Sequence, residues 1–433
     1  MAQLRAAAAM REIATGPAIT PEAPLRAVAL ALESAGVRLC LACTDSLVVP
    51  EDVLARVSAQ APAANLLITA THTHHAPCTI DILGARRDAA YCEALEAALI
   101  AAITEACEAL NDPASEAEMC FAQSQEATVG QNSRYLLRDE TIAWYAYRWE
   151  DVVRPTGPYD PDLPVIVFRR PSGEMVCTLF SHSVHNIGAL TPGAVSPGMC
   201  GLAGREVERS HGGVALFLPG AFGSTHNTSE FGSTPNTRAI GTAECVHRIV
   251  AAVAWGLDHA CRLQAPGSRP LLAAARRPLA YRVREFDEVA EEAAVRYWSE
   301  TYTPEDPEAN AGVFRAMRAE MAPVAGQERE TSLTVMALGD VALVGLPGEV
   351  FAALGLELRR RSPFRNTYVI GLANGTLGYV GDLPSYDLGG YQLWAGWHSL
   401  SAPGTGEAMV EQALEMLGDL YEGGPPAGGS RPT

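Results

Sequence analysis

Residues 27–75 read AVALALESAGVRLCLACTDSLVVPEDVLARVSAQAPAANLLITATHTHH, and this stretch decides the fold. Its short apolar runs are typical of buried strands, and the segment between them has the length and charge of a surface helix. In order, it predicts a strand, a turn, a second strand, a helix and a third strand, over residues 27–32, 34–36, 37–45, 51–60 and 66–75. The third strand ends in the histidines of THTHH.

The same order of elements recurs twice further along the chain. The second copy covers residues 165–223, with VIVF, MVCTLFSHSVHN, a helix near GLAGREVERS and VALFLPGAFG. The third covers residues 332–375, with SLTVMAL, VALVGLPGE, the helix VFAALGLELRRR and TYVIGLANG. Strands this apolar must be covered on both faces. The fold class is therefore expected to be α/β, a layered sandwich of mixed β-sheets covered by helices, in a single domain over residues 1–421.

Composition excludes several classes of function. The formal charge is −18, which opposes binding to nucleic acid or to an anionic membrane surface. The chain contains no lysine, so Schiff-base chemistry and a P-loop are excluded. No stretch is apolar enough for a signal peptide or a membrane helix, and ten scattered cysteines indicate reduced thiols. We expect a cytoplasmic protein with no stable membrane anchor, ending in a disordered tail over residues 422–433.

Polar residues at the ends of the expected strands are the candidates for chemistry. His72 and His74 stand two apart in a strand and so point to one side, which suits a metal ligand beside a catalytic group, although H-x-H is also common in surface loops. LFSHSVHN offers His182 or His185, and either could instead be a hydrogen-bonded core histidine. Glu349 could equally be a carboxylate in the first turn of a helix. Arg134 and Tyr391, taken singly, are more often structural; Tyr379 completes the set.

ATHTHHAP, together with PGE and GLANGTLGY, resembles the neutral, nonlysosomal ceramidase family. The similarity covers most of the chain and includes CTD, NSR, GPYDP, LFLPGAFG and GGYQ in the same order. The resemblance implies a ceramidase-like catalytic domain with a Zn²⁺ site. The implied ligands are His72, His185, Glu349 and Tyr379, with His182 as the alternative to His185; the implied catalytic residues are His74, Arg134, which would contact the substrate, and Tyr391.

The chain also departs from the family pattern in the loops beside these residues. THTHSGP has become THTHHAP, Ser-Ala-Asp has become SPG at 196–198, Gly-Asp-Val-Asn-Pro has become GSTHN at 223–227, and the final RYE has become GYQ. The immunoglobulin-like domain and the secretion signal of the larger ceramidases are not expected. Retained ligands among altered loops predict a different substrate.

The resemblance therefore implies a zinc-dependent amidohydrolase that cleaves an N-acyl bond of a small soluble metabolite in a biosynthetic pathway. Zinc would activate water and polarise the amide carbonyl, Arg134 or Tyr391 would stabilise the oxyanion, and His74 would move protons. A zinc-dependent cyclase or acyltransferase is the alternative enzyme. A non-catalytic protein whose zinc is a structural staple is the alternative outside enzymology.

Overall fold

The computed structural model describes residues 3–16, 19–143, 147–227, 240–264, 267 and 269–423. The helices are α1 Glu51–Gln60, α2 Ala89–Ala109, α3 Gly198–His211, α4 Thr242–His259, α5 Glu288–Tyr302, α6 Pro307–Met321, α7 Ala352–Arg361, α8 Leu383–Leu388 and α9 Thr405–Glu422. The expected disordered tail lies, from residue 424 onward, outside the described residues.

The strands are short and numerous. They are β1 Arg5–Glu12, β2 Arg26–Ser34, β3 Val37–Thr44, β4 Asn65–Ala70, β5 Glu118–Gln125, β6 Gly130–Asn132, β7 Tyr135–Leu137, β8 Ile142–Ala143, β9 Val152–Pro155, β10 Asp162–Arg169, β11 Met175–His182, β12 Val214–Pro219, β13 Thr225–Asn227, β14 Cys261–Arg262, β15 Leu272–Arg282, β16 Glu328–Leu338, β17 Val341–Gly345, β18 Glu349–Val350, β19 Asn366–Ile370 and β20 Tyr379–Val380.

Three sheets repeat one topology, as the sequence predicts. Each contains an antiparallel hairpin followed by a helical crossover to a parallel strand, because parallel neighbours cannot be joined by a tight turn. The strand orders are β1-β2-β3-β4, β12-β11-β10-β5-β14 and β15-β16-β17-β19, with α1, α3 and α7 as the crossovers. The α/β fold class with mixed sheets is confirmed.

Each hairpin has an additional antiparallel strand at its outer side, which the sequence reading missed. These strands are β1, β5 and β15. β1 is the alanine-rich segment RAAAAMRE, and alanine has little preference for strands. It forms a strand because it pairs with β2 along its whole length, while Ala7 and Ala9 pack in the core beneath α2.

The three sheets share a central core, and helices cover their outer faces. In β2 and β3 the leucines face the central core, which also receives residues of the other two sheets. Alternate positions such as Ala31 and Ala42 face α2, whose own buried face is alanine-rich. Because successive side chains of a strand point to opposite faces, a continuous apolar run supplies both cores at once. The sequence reading assigned the covering role to helices alone; the second cover is another sheet.

Contacts between the sheets bring their strand ends together. Asn374 follows β19 and binds the free edge of β4, where its Oδ1 accepts from Ile68 N at 2.9 Å and its Nδ2 donates to Leu66 O at 3.0 Å. Gly371 N donates to Pro219 O at 2.9 Å, which joins β19 to β12. The ends of β4, β12 and β19 therefore meet at one place. No helix in the described part of the chain is both long and apolar enough to cross a membrane.

Candidate metal centre and catalytic cavity

Four of the residues singled out by the sequence meet where the three sheets converge. His72 follows β4, His185 follows β11, and Glu349 and Tyr379 lie opposite each other in the parallel pair β18 and β20. Glu349 therefore precedes helix α7 and does not belong to its first turn. Loops at strand ends can direct polar side chains inward without disturbing the cores behind them.

Backbone geometry at this point is unusually constrained. His72 has a φ of 57°, in the left-handed region that non-glycine residues seldom adopt. A Cβ at Gly223 would lie 2.0 Å from the carbonyl oxygen of Glu349, so only glycine allows that loop to approach the β18 backbone. Strain of this kind persists only where surrounding contacts enforce it, and it is concentrated at functional sites.

The side chains converge on a small volume. Glu349 Oε2 lies 3.2 Å from His185 Nε2 and 3.5 Å from His72 Nε2. Tyr379 OH lies 3.3 Å from His185 Nε2, and His74 Nε2 lies 3.2 Å from His72 Nε2. Ring nitrogens of the three histidines all fall within 4.8 Å of one another. All five side chains are thus within reach of a common centre.

Hydrogen bonds to the backbone fix the tautomers of two of these histidines. His72 Nδ1 lies 2.9 Å from Leu47 O, and His185 Nδ1 lies 2.7 Å from Thr225 O. A carbonyl oxygen only accepts, so each Nδ1 carries a hydrogen and each neutral ring presents a lone pair at Nε2. Burial lowers the pKa of His72 to about 4, which keeps that lone pair available at neutral pH.

Lone pairs therefore face one another at the centre of the cluster. Glu349 Oε2 is buried and accepts no hydrogen bond from any described residue. The two Nε2 atoms beside it have no proton to donate, although Tyr379 OH and His74 Nε2 can donate to them, at 3.3 Å from His185 Nε2 and 3.2 Å from His72 Nε2. Glu349 Oε2 itself is left without a donor, and a buried carboxylate oxygen in that state is costly unless a cation sits beside it. Two imidazoles and a carboxylate, with a phenol beside them, form a donor set that suits zinc.

Four residues of the cluster, His72, His74, Glu349 and Tyr379, line a cavity of about 340 Å³. Its polar lining residues are mainly the site residues themselves, including His72, His74, Glu349, Tyr379 and Tyr391. The rest of the wall is largely apolar: Leu47, Val48, Ala76, Cys78, Ile80, Ile82, Leu83, Ala85 and Trp397. Glu349 is the only carboxylate among the described lining residues, and none of these residues is an arginine.

His74 and Tyr391, the two predicted catalytic residues that reach the cavity, lie in this lining. The ring of His74 is open to the cavity, while the protein atoms around it lower its pKa well below its ordinary value. Burial, followed by the charge of Glu349, raises the pKa of both Tyr379 and Tyr391. Both phenols therefore keep their protons in the absence of a cation.

Two further candidates lie elsewhere. His182 is buried, with Nε2 3.1 Å from Tyr159 OH and 3.9 Å from Glu126, so the structure brings His185 and not His182 to the cluster. Arg134 is absent from the described lining of the cavity, and its guanidinium binds the loop that carries Tyr391.

Two histidines that the sequence reading did not select also belong to the site. His226 stacks on His185 with ring centroids 6.1 Å apart, and His398 stacks on Tyr391 at 5.5 Å. Burial lowers the pKa of each to about 4. The altered segment GSTHN was a signal for His226, but His398, in AGWHS, carried no motif.

Among solved structures, a neutral ceramidase from Pseudomonas aeruginosa superimposes on the whole of this chain. The TM-score is 0.70 at 18% identity, and the match covers 76% of that chain. A ceramidase complexed with C2 gives a TM-score of 0.71 at 16% identity, with 100% of this chain and 77% of that chain covered. The fold is that of neutral ceramidase. No family model and no curated protein sequence matches the chain.

Proposed function

We propose that this protein is a zinc-dependent amidohydrolase that cleaves the N-acyl bond of a small, neutral metabolite. One observation carries the proposal: the acceptor atoms His72 Nε2, His185 Nε2 and Glu349 Oε2 converge beside a largely apolar cavity, and Glu349 Oε2 has no hydrogen-bond donor. The likeness in fold to neutral ceramidase, whose name denotes amide hydrolysis of ceramide, supports the same reaction type.

His72, His185, Glu349 and Tyr379 are the proposed ligands. Zinc bound there would act as a Lewis acid toward the amide carbonyl and lower the pKa of bound water toward about 7. Tyr379 OH, 3.3 Å from His185 Nε2, completes a set of mixed nitrogen and oxygen donors. The protein's own contribution is to hold these lone pairs in place and to exclude bulk water with the apolar wall.

His74 is the proposed proton carrier. Its Nε2 faces the cluster at 3.2 Å from His72 Nε2, but no described backbone carbonyl binds its Nδ1. The two proposed histidine ligands have that bond and hence a fixed tautomer, whereas His74 is free to take a proton at one nitrogen and release it from the other. General acid–base transfer to the departing amine needs an imidazole nitrogen that is not committed to the metal.

The cavity favours a substrate of modest size and no charge. About 340 Å³ is at the low end of the roughly 300–1,000 Å³ typical of ligand pockets. The apolar wall suits an acyl group, and the hydroxyl of Tyr391, which is hydrogen-bonded to that of Tyr379, is the proposed contact for the carbonyl oxygen. A long-chain ceramide is therefore expected to be a poor substrate, and a short soluble N-acyl amide a better one.

A pair of measurements tests the reaction and the metal. Metal analysis with anomalous scattering from crystals should find one zinc at the cluster. Short N-acyl amides and a detergent-solubilised ceramide, compared at equal zinc loading, should give products that gain the mass of water from the short amides only. Turnover of ceramide with the short amides untouched would refute the substrate assignment, and transfer without added water would favour a cyclase or acyltransferase.

We propose that the protein acts in the cytoplasm, in a specialised biosynthetic pathway. All ten cysteines are free thiols and most are buried. Reduced thiols in that number fit a reducing compartment better than an oxidising one.

A further inference from the structure

Arg134 is completely buried between the catalytic cavity and the loop that follows α8. Its Nη1 donates to Gln392 Oε1 at 3.1 Å, and its Nη2 donates to Gly389 O at 2.6 Å and to Ser385 O at 3.2 Å. Three bonds from one rigid guanidinium thus fix the segment 385–392 at both ends. Tyr391 lies inside that segment.

The same guanidinium also contacts the strand that carries Glu349. It lies over the ring of Phe351 at 5.1 Å from the ring centroid, and Phe351 follows Glu349 by two residues. Gly390, at a φ of 94°, fits only because it has no side chain, since a Cβ there would lie 2.9 Å from Ile142 Cβ and 3.3 Å from Arg134 Nη1. Arg134 therefore joins the Tyr391 loop to the side chain of Phe351, two residues after Glu349.

The burial of the charged Arg134 side chain is electrostatically unfavourable. No described carboxylate lies within 4.0 Å of the guanidinium, and burial lowers its pKa to about 10. Burial of a cation without a paired carboxylate costs free energy, which its three hydrogen bonds to carbonyl oxygens offset only in part. The five donors of a planar guanidinium can bind three loop carbonyl groups at once, which an ammonium group cannot do with the same geometry.

We infer that Arg134 is a positioning residue that acts through Tyr391, and that it does not touch the substrate. It holds Gly389 and Gln392 on either side of Tyr391, so that the phenol remains in the cavity wall, and His398 Nε2 supports the same residue by donating to Tyr391 O at 3.0 Å. The catalytic consequence rests on the function proposed above, but the structural role does not.

A double-mutant cycle separates the two roles. Arg134→Met should lower kcat for a short N-acyl amide by about 10–100-fold, because a displacement of about 1 Å at a positioned group can cost about a hundredfold. In the Tyr391→Phe background the same substitution should cost less than about threefold, since the group through which it acts has been removed. If Arg134→Met instead costs as much in the Tyr391→Phe background as in the wild type, with the loss mainly in KM, the inference is overturned and Arg134 contacts the substrate.

Hydrogen exchange gives a readout that needs no activity. The Leu393 amide donates to Gly390 O at 2.8 Å and should exchange at least tenfold faster in Arg134→Met, with metal content unchanged. If Arg134→Met does not fold, Arg134→Lys replaces it in the experiment, and the Leu393 amide should exchange faster in that variant too. Arg269→Met is the matched control, since that guanidinium stacks on Tyr421 at 3.9 Å and should leave the Leu393 amide protected.

The outcomes are distinguishable. Unaltered protection of the Leu393 amide in the Arg134 variants overturns the inference whatever the enzyme does. If the wild type hydrolyses no N-acyl amide substrate, but the Leu393 backbone N–H exchanges faster in the Arg134 variants, the proposed function fails and the positioning role stands.

Discussion

Replacement of Glu349 by glutamine should raise the stability of the metal-free protein and reduce the stabilisation that zinc adds. In the metal-free protein Glu349 Oε2 is a buried acceptor with no donor, facing the lone pairs of His72 and His185. The amide of a glutamine has the same shape, carries no charge and can donate to one of those lone pairs. Satisfying a buried polar group stabilises a protein by about 1–3 kcal/mol.

These energies convert into melting temperatures. A chain of 433 residues has an unfolding entropy of roughly 0.9 kcal/mol/K, so metal-free Glu349→Gln should melt about 1–3 °C above the metal-free wild type. Zinc at a thousand times its Kd stabilises the wild type by about 4 kcal/mol, or about 4–5 °C. If loss of the charged ligand weakens binding a hundredfold, the same zinc concentration should raise the Tm of the variant by only about 1.5 °C.

The assay is calorimetry on chelator-treated protein, with and without added zinc. Glu126→Gln is the matched control, because Glu126 is equally buried but accepts from Thr128 N at 2.9 Å and Val129 N at 2.6 Å. It should lower the metal-free Tm and leave the zinc shift intact. An equal zinc shift in wild type and Glu349→Gln, or no shift in either, would refute the assignment of Glu349 to a cation site. Glu349→Ala and His72→Ala should both lose metal and activity.

Three further outcomes are expected. His74→Ala should retain its metal but lose at least a hundredfold in kcat; if it lost metal as completely as His72→Ala, their roles would have to be exchanged. Leu83 lines the cavity at a φ of 49°, so Leu83→Asn should relieve roughly 1 kcal/mol of left-handed strain while raising KM for amides with larger acyl groups; an unchanged KM across an acyl series would exclude that contact. Burial lowers the pKa of His182, so as pH falls below about 6.5 the unfolded chain takes up a proton before the folded one and stability declines. Urea unfolding of metal-free protein at pH 7.5 and 5.5 should show a smaller decline for His182→Gln, and equal declines would contradict this origin.

Much of the fold could be predicted because its signals are local. The apolar runs of the three repeated units and the polar residues that end them follow from side-chain alternation and from burial on two faces. The units and their crossover helices are where the sequence indicates, except that β4 ends at Ala70, so His72 and His74 lie in the loop after the strand and not in it. The outer strands β1, β5 and β15 were missed, since alanine-rich or polar segments become strands only when a neighbour supplies the pairing.

The candidate site, too, could be predicted from the sequence only in part. The sequence by itself determined which residue types were available, since a chain without lysine but with histidines, a glutamate and a tyrosine at strand ends can hold a metal. Only the tertiary structure decided that His185 joins His72 and Glu349 while His182 packs against Tyr159, because three residues along a loop are enough to reverse a side chain's direction. It also decided that Arg134 lies behind Tyr391, because contacts between residues some 250 positions apart depend on how the sheets meet and leave no periodic trace in the chain.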